Sequence, residues 1–506
     1  MRGRENWTLA QRGRRTSAYA TRDLTQGSIP RNLWFLGWPQ IISGAVNAID
    51  TLADLFWAGF LGSRAVATVG VAQTWIQLFN TGRMGLDTSA RAMVSRAVGS
   101  GNLAQASDIA RQSVIFNVGL SLVVMVIGIG LSDFLLKVLG VSDALVEEGS
   151  TYQRLRFAGS FFFGLNMISG SLLQAGGDTL TPMKAQLVTR ASHLILSPVL
   201  TFGWGGLPAF GVSGAAIANG ISQGIGSAMN FWALYTGTSR IQLSMNNLKV
   251  ELPLMWRQVQ IGGPASVTAA ERAIAQVVLV GLAAPFGTAG LAVFSITQRI
   301  QMFGGFGAQG LAQASGVIVG QSLGAQQPKR AKETVWWALG YNFAIQGLVC
   351  ALIFAFPEAV ILVFSRDPEV MEIAGTWLRI EVLGYMLFSL ANVLVLSFNT
   401  AGDTTIPMLA ALGGIWGVQQ PVAILLTGAA GRWLPPNLAA LVPISWNLGI
   451  LGIAWANVAA AIARFIFLFL YFMWGPWWKK NVLQFSQAPV EIVPEPAVVP
   501  PPVGLP

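Results

Sequence analysis

Ten consecutive residues of this chain occur twice in nearly the same form, as Gln174-Ala-Gly-Gly-Asp-Thr-Leu-Thr-Pro-Met183 and Asn399-Thr-Ala-Gly-Asp-Thr-Thr-Ile-Pro-Met408. Asp178 and Asp403 therefore stand 225 positions apart. The same offset carries Pro39 onto Pro264, Gly62 onto Gly287, Gly85-Leu86 onto Gly310-Leu311, Gly99 onto Gly324, Asn117 onto Asn342 and Arg154 onto Arg379. Farther on the offset lengthens to 238, where Gly211-x-x-Gly214-x-Ala216-x-Ala218-Asn219 answers Gly449-x-x-Gly452-x-Ala454-x-Ala456-Asn457. In an apolar chain a repeat this long implies two homologous membrane lobes and not a solenoid of short units.

The composition permits little else. Only 10% of the 506 residues are charged, against about 25% in a soluble domain, which is too few to cover a water-facing surface. Mean hydropathy is +0.57, and the apolar runs reach the roughly 20 residues that cross a hydrocarbon core. They predict spans near 32–57, 65–94, 108–132, 150–174, 184–204 and 211–235, then 254–283, 289–320, 332–357, 371–398, 407–429 and 448–474. The expected fold is an all-α polytopic membrane protein with twelve transmembrane helices in two parallel six-helix repeats around a central cleft. Residues 32–235 form the N-lobe, 236–253 a basic cytoplasmic linker carrying Arg240 and Lys249, and 254–478 the C-lobe. Residues 479–506 form a Pro-rich tail that reads as disordered.

Charge sets the orientation. Residues 1–31 carry seven arginines against Glu5 and Asp23. Directly before a first span, such a segment marks the cytoplasmic side next to anionic lipid, and a nucleic-acid arm is the lesser reading. With that end inside, Arg96, Arg111, Lys184, Lys329, Arg330, Lys479 and Lys480 all fall in cytoplasmic loops. Asp133, Asp143, Glu147, Glu148, Glu358, Asp367, Glu369 and Glu372 fall on the opposite side. Both termini are then cytoplasmic, in a multi-pass protein of the cell inner (plasma) membrane. Cys350 is the single cysteine and His193 the single histidine. They exclude an intrachain disulfide and any cysteine-based metal cluster, and they leave no nucleophilic triad. Gly304-Gly305-Phe306-Gly307 follows no strand and precedes no Walker Lys-Ser/Thr, so ATP-driven transport has no support. An enzyme, a cofactor and a structural metal are not expected.

Ionisable groups at mid-bilayer cost about 2.5–3.5 kcal/mol on insertion scales and so need a reason. Asp50 and Asp54 are the sharpest instance. At i, i+4 they share one face of span 1, and burial with like charge favours a shared proton or cation. Two other readings stand beside this one: Asp50 caps a polar network and only Asp54 acts, or an arginine pairs with them. Arg83, Asp87 and Arg91 recur every four residues, as a helix-face ion-pair ladder would. The Asp178 and Asp403 turns read as capping and hinge devices, and Arg299 and Glu381 as members of inter-helix networks.

Pro39 with Asp54 in span 1, Leu61-Gly-Ser-Arg-Ala-Val-Ala67, Gly85 through Gly99 entering Gly101-Asn-Leu-Ala-Gln-Ala106, and the paired Ala-Gly-Asp-Thr…Pro-Met turns lie within the six-plus-six duplication. Together these residues resemble the multidrug and toxic compound extrusion (MATE) family over about 32–478. The resemblance implies export of amphipathic, often cationic organic compounds or drugs in exchange for H+ or Na+, by alternating access of the cleft. The other partners expected are membrane lipid and no nucleic acid, and the expected state is a monomer.

In that family a first-lobe cation site draws an asparagine and an aspartate from span 5 and a polar residue from span 6. The matching positions here hold His193, Ser197 and Asn219. One carboxylate is lost and a histidine gained, which suits protons better than the oxygen cage sodium needs. The plainer reading is a histidine bonded to a helix carbonyl. Some members carry a second-lobe glutamate eight residues after the span 7 proline and an aspartate in span 10. Those positions hold Arg272 and Phe388, with Glu271 one residue early, so that site is not reproduced. Glu271 and Arg272 are candidates for substrate contact or secondary coupling, or for an internal ion pair. Trp57, Trp75, Phe161, Phe162, Phe163, Met302 and Phe303 could line a cleft, or equally face lipid. The rival readings are a lipid-linked oligosaccharide or lipid flippase, against which two acids in span 1 argue, and a membrane scaffold or enzyme, which leaves the duplication unexplained.

Overall fold

The computed structural model describes residues 22–60, 63–138, 143–206, 208–243, 249–429, 447–480, 482 and 483. Twelve long helices account for most of them. In the first lobe they are α1 (Ile29–Phe60), α2 (Ser63–Gly99), α3 (Leu103–Gly130), α4 (Asp143–Ala175), α5 (Leu180–Phe202) and α6 (Val212–Thr236). In the second, α7 is Leu252–Ala283, and α8 breaks at Gly305 into Gly287–Gly304 and Phe306–Gly324. There follow α9 (Pro328–Ala355), α10 (Pro368–Ala401), α11 (Thr405–Leu412 and Gln420–Leu426, joined by a π-helical turn) and α12 (Leu451–Trp474). The expected twelve-span, two-repeat helical fold is therefore present. Hydropathy alone marks α3, the run Leu252–Gly304, α9, α10, α11 and α12 as long and apolar enough to span. The repeat extends the assignment to their first-lobe counterparts.

Local chemistry explains where the helices begin and bend. Asn102 caps α3 by accepting from the Gln105 amide, and Asp367 does the same for α10 from Glu369. Pro253, Pro328 and Pro368 open α7, α9 and α10, where the absent N–H costs nothing. Pro39 and Pro264 lie inside α1 and α7. At each of them a hydroxyl four residues on, Ser43 or Thr268, donates to the proline carbonyl, at 2.9 and 3.0 Å. Both features favour a bend, and both recur at the repeat offset.

The packing repeats as faithfully as the letters. Within the lobes α1 lies on α5 as α7 lies on α11, and α4 packs on α6 as α10 packs on α12. Between lobes α2 packs on α7, α1 on the second part of α8, and α2 on α8. Arg154 pairs with Asp133 at 2.8 Å, and its repeat mate Arg379 pairs with Glu358 at 2.8 Å.

The lobes meet backbone to backbone at the end of the bundle that carries the Ala-Gly-Asp-Thr turns. A Cβ added to Gly99 would stand 2.6 Å from the Gln321 carbonyl carbon and Cα. One added to Gly324 would stand 3.0 Å from the Arg96 carbonyl carbon and the Ser100 nitrogen. Gly99 answers Gly324 in the repeat, and position 96 answers 321, so one contact is made twice. Beside it Arg96 donates to the carbonyls of Ala401 and Lys480, and Gln321 donates to Ala175. Each lobe thus holds the other's turn from the end of α2 or α8.

The turns themselves differ from one another. Asp178 caps α5 as expected, accepting from the Leu180 and Thr181 amides and the Thr181 hydroxyl. Asp403 instead accepts from the Tyr471 hydroxyl at 2.5 Å. The ladder on α2 is only partly formed. Arg91 pairs with Asp87 at 3.1 Å and reaches Gln313 of the other lobe, whereas Arg83 turns to Asn80 and Ser160.

Candidate functional site

Asp50 is 6% exposed, on the face of α1 that packs against α5. Its two oxygens are divided between two residues of α5. Oδ2 accepts from Arg190 Nη1 at 2.7 Å, and Oδ1 lies 2.8 Å from His193 Nδ1. A carboxylate only accepts, so this geometry puts the proton of a neutral His193 on Nδ1. One turn toward the α5 N-terminus, Gln186 and Asn47 meet across the same two helices. With its oxygen facing Arg190, the Gln186 amide lies 3.0 and 3.2 Å from two guanidinium nitrogens. The α1–α5 contact is a buried polar ladder centred on Asp50, and this corresponds to the arginine-paired reading of that residue.

Arg190 was not singled out by sequence reasoning, although it is a lone cation one turn before His193. His193 is 2% exposed and turns its Nδ1 to the acid. Ser197 lies four residues farther along the same face of α5, buried, with its hydroxyl lacking a hydrogen-bond partner among the described residues. Asn219 is half-buried on α6 and is not hydrogen-bonded to Asp50, Arg190 or His193. The Asp54 side chain lies outside the described residues. Of the first-lobe candidates, then, the structure brings Asp50 and His193 together, extends them along α5 to Ser197, and adds Arg190.

The second lobe is built differently. Glu381 on α10 is 3% exposed and accepts from Trp377, Tyr385 and Asn457. Asn457 is the repeat mate of Asn219, and it in turn accepts from Gln419 at 2.7 Å. This fully bonded cluster is the inter-helix network expected of Glu381. Glu271 is 5% exposed, and neither of its oxygens has a hydrogen-bond partner among the described residues. The internal Glu271–Arg272 hydrogen-bonded pair is therefore not formed. Arg272 lies over the Phe388 ring at 5.4 Å, and Arg464 of α12 lies over the same ring at 5.5 Å. Arg464 also went unnoticed in the sequence. It is a lone cation in a strongly apolar span.

The MatE family profile matches residues 39–199 and again 264–425, so its two matches begin 225 positions apart. The Bacillus subtilis (strain 168) "Probable multidrug resistance protein YoeA" is 23% identical over 475 residues, covering 92% of this chain and 98% of that protein. The Thermotoga maritima "Probable multidrug resistance protein NorM" is 23% identical over 461 residues, covering 90% and 94%. Among solved structures, an outward-facing conformation of a multidrug resistance MATE family transporter of the MOP superfamily is similar with a TM-score of 0.80. It is 21% identical and covers 91% of this chain and 99% of that one.

Proposed function

The chain belongs to the MatE family of membrane transporters, and from that premise we propose that it exports amphipathic organic compounds, organic cations among them, in exchange for protons by alternating access. Its relatives carry names of multidrug resistance proteins, and this supports drug-like cargo. In this reading the protein works as a monomer in the cell inner (plasma) membrane, with both termini and the basic end of the bundle in the cytoplasm.

The observation that carries proton coupling is the bridging of Asp50 between Arg190 and His193. With His193 neutral, Asp50 and Arg190 cancel. Asp54, one helical turn along α1, then adds one further carboxylate to that helix, which one proton would neutralise. Sodium would need a cage of oxygens, whereas a guanidinium and an imidazole already occupy the Asp50 oxygens. Protonation of His193 would tighten its bond to Asp50 and so the α1–α5 contact. Because α1 also packs on α8 of the other lobe, that change reaches the lobe interface. Gly44 of α1, whose added Cβ would meet Phe306 at 3.2 Å, marks the point of contact beside the α8 break.

The test is efflux of a fluorescent organic cation from proteoliposomes with pH and sodium gradients imposed separately, for wild type and Asp54→Asn. Export driven by the pH gradient alone and lost in the variant is the expected result. Drive by sodium alone would refute proton coupling. A lipid-linked oligosaccharide or lipid flippase is the second reading, favoured by the two arginines beside Phe388. It takes the lead if neither gradient moves the dye and the variant behaves as wild type.

A further inference from the structure

Arg272, Phe388 and Arg464 come from three helices, α7, α10 and α12, and meet around one aromatic ring. Two guanidiniums share that ring, at 5.4 and 5.5 Å from its centroid, both within cation–π range. Like charges do not gather this way without an anion to hold them. Among the described residues the carboxylate whose charge acts on both is Glu271, and neither of its oxygens is hydrogen-bonded to either arginine. The cluster of one acid and two bases carries a net positive charge.

Its exposure is uneven. Arg464 is 7% exposed and its Nε has no hydrogen-bond partner among the described residues. Glu271 is buried as well, whereas Arg272 is exposed. Arg272 is nonetheless directed toward Phe388 and Arg464 of its own lobe, and its helix packs across the lobe boundary on α2. Its open surface therefore lies beside Phe388 and Arg464, on a helix that borders the other lobe. What an entering molecule meets there is a guanidinium fork, a second cation behind it and the edge of a half-buried phenyl ring.

We propose that the C-lobe wall of the cleft is a binding site for an organic anion, with a carboxylate or phosphate held by Arg272 and backed by Arg464, and its apolar or aromatic body against Phe388. The guanidinium fork matches the two oxygens of such a group, and a lysine would not. The inference rests on the exporter reading only for the step from binding to export. It widens the cargo from organic cations to molecules bearing a negative group.

Binding can be read without transport, by fluorescence anisotropy of carboxyfluorescein on the purified full chain, with ethidium as the cationic counter-probe. Wild type is expected to bind carboxyfluorescein saturably. Arg272→Gln should weaken that binding about tenfold to a hundredfold, the range for a lost charge-assisted hydrogen bond. Arg272→Lys should recover part of the loss, and Phe388→Leu should weaken binding severalfold with no change in charge. Ethidium binding should be unchanged or tighter in Arg272→Gln. Because Arg272 is exposed, its variants should keep the wild-type elution volume, and Phe388→Leu serves as the second probe if they do not. Absence of saturable carboxyfluorescein binding, equal binding by Arg272→Gln, or weaker ethidium binding in that variant would overturn the proposal. Asp54→Asn should leave carboxyfluorescein binding intact, so a failure of proton coupling is distinguishable from a failure of this site. Nanodiscs of phosphatidylcholine, with and without phosphatidylglycerol, separate the two sources of such an anion. Equal binding in both identifies a free anion, and loss in the discs that contain phosphatidylglycerol identifies a lipid headgroup in the same site.

Discussion

Replacing Gly99 with alanine puts a methyl carbon 2.6 Å from the Gln321 carbonyl carbon and Cα. Carbon atoms in ordinary contact stand about 3.5–4.0 Å apart. The obstacle is backbone, which cannot rotate away, so α2 and α8 would have to separate by about 1 Å at this end. Overpacking of that kind costs about 1–3 kcal/mol. Alanine also favours helix over glycine by about 1 kcal/mol, but that gain is present whether the lobes are together or apart and cancels from the equilibrium between them. The closed seam should therefore lose about 5- to 150-fold in population relative to states opened at this end.

The single native cysteine, Cys350, is buried and so gives little labelling background. A reporter Ser322→Cys sits buried within the seam. Its rate of maleimide labelling should rise by that factor in Gly99→Ala, and by a similar factor in the repeat-related Gly324→Ala. Gly119→Ala is the control, because its added Cβ meets nothing within 4 Å, and it should leave the rate unchanged. Unaltered labelling in both seam variants, or a large effect in one alone, would refute a tight and symmetric seam.

Three further outcomes follow from the charge network. Arg190→Gln strips Asp50 of its guanidinium and should destabilise the protein by about 3–5 kcal/mol, while Asp50→Asn on top of it should recover much of the loss, read as thermal unfolding in detergent. Glu381→Leu leaves the Trp377, Tyr385 and Asn457 donors unpaired in a buried site and should cost several kcal/mol, at about 1–3 per stranded group; Glu381→Gln, which keeps acceptor capacity, should cost clearly less in the same melt. Arg154→Ala and Arg379→Ala break half-exposed pairs and should each cost under about 1 kcal/mol, with melts close to wild type and to each other.

The repeat was legible because it is written in glycines, prolines and turn residues, whose backbone demands survive when side chains drift. Gly177 and Gly402, at φ of 97° and 89°, are matched letters that mark matched left-handed turns. Gly99 and Gly324 could be paired with each other in the sequence, but their contacts, Gln321 and Arg96, lie in the opposite lobe, where no local spacing points. Arg190 escaped notice for the same reason. It was visible as a charge in an apolar span, yet its partner is set by the packing of α1 on α5. The expected ladder on α2 took i, i+4 spacing as sufficient. It holds for Asp87 and Arg91, but Arg83 finds Ser160 on α4, because α2 is buried on several sides and long-range partners outcompete a neighbour one turn away.

The two kinds of residue that the repeat treats differently have different work to do. The seam at Gly99 and Gly324, the prolines Pro39 and Pro264 with their hydroxyl partners, and the ion pairs at Arg154 and Arg379 are duplicated together with their partners. In the proposed alternating access each would serve a motion of one lobe against the other, which two related lobes must accommodate equally on both sides. The charged groups at mid-depth are not duplicated at all. Position 275, the counterpart of Asp50, is alanine, and the counterpart of Glu381 is Arg156. A gate fails if either half fails, so divergence there is penalised in both copies. In the proposed function a coupling ion and a cargo need only one site each, so a lobe that holds the Asp50–Arg190–His193 network leaves the other free to carry Arg272, Phe388 and Arg464. A symmetric frame carrying asymmetric chemistry can bind two different ligands in its two walls while still moving as one device. The proposed exchange of a proton for an organic molecule would use that arrangement.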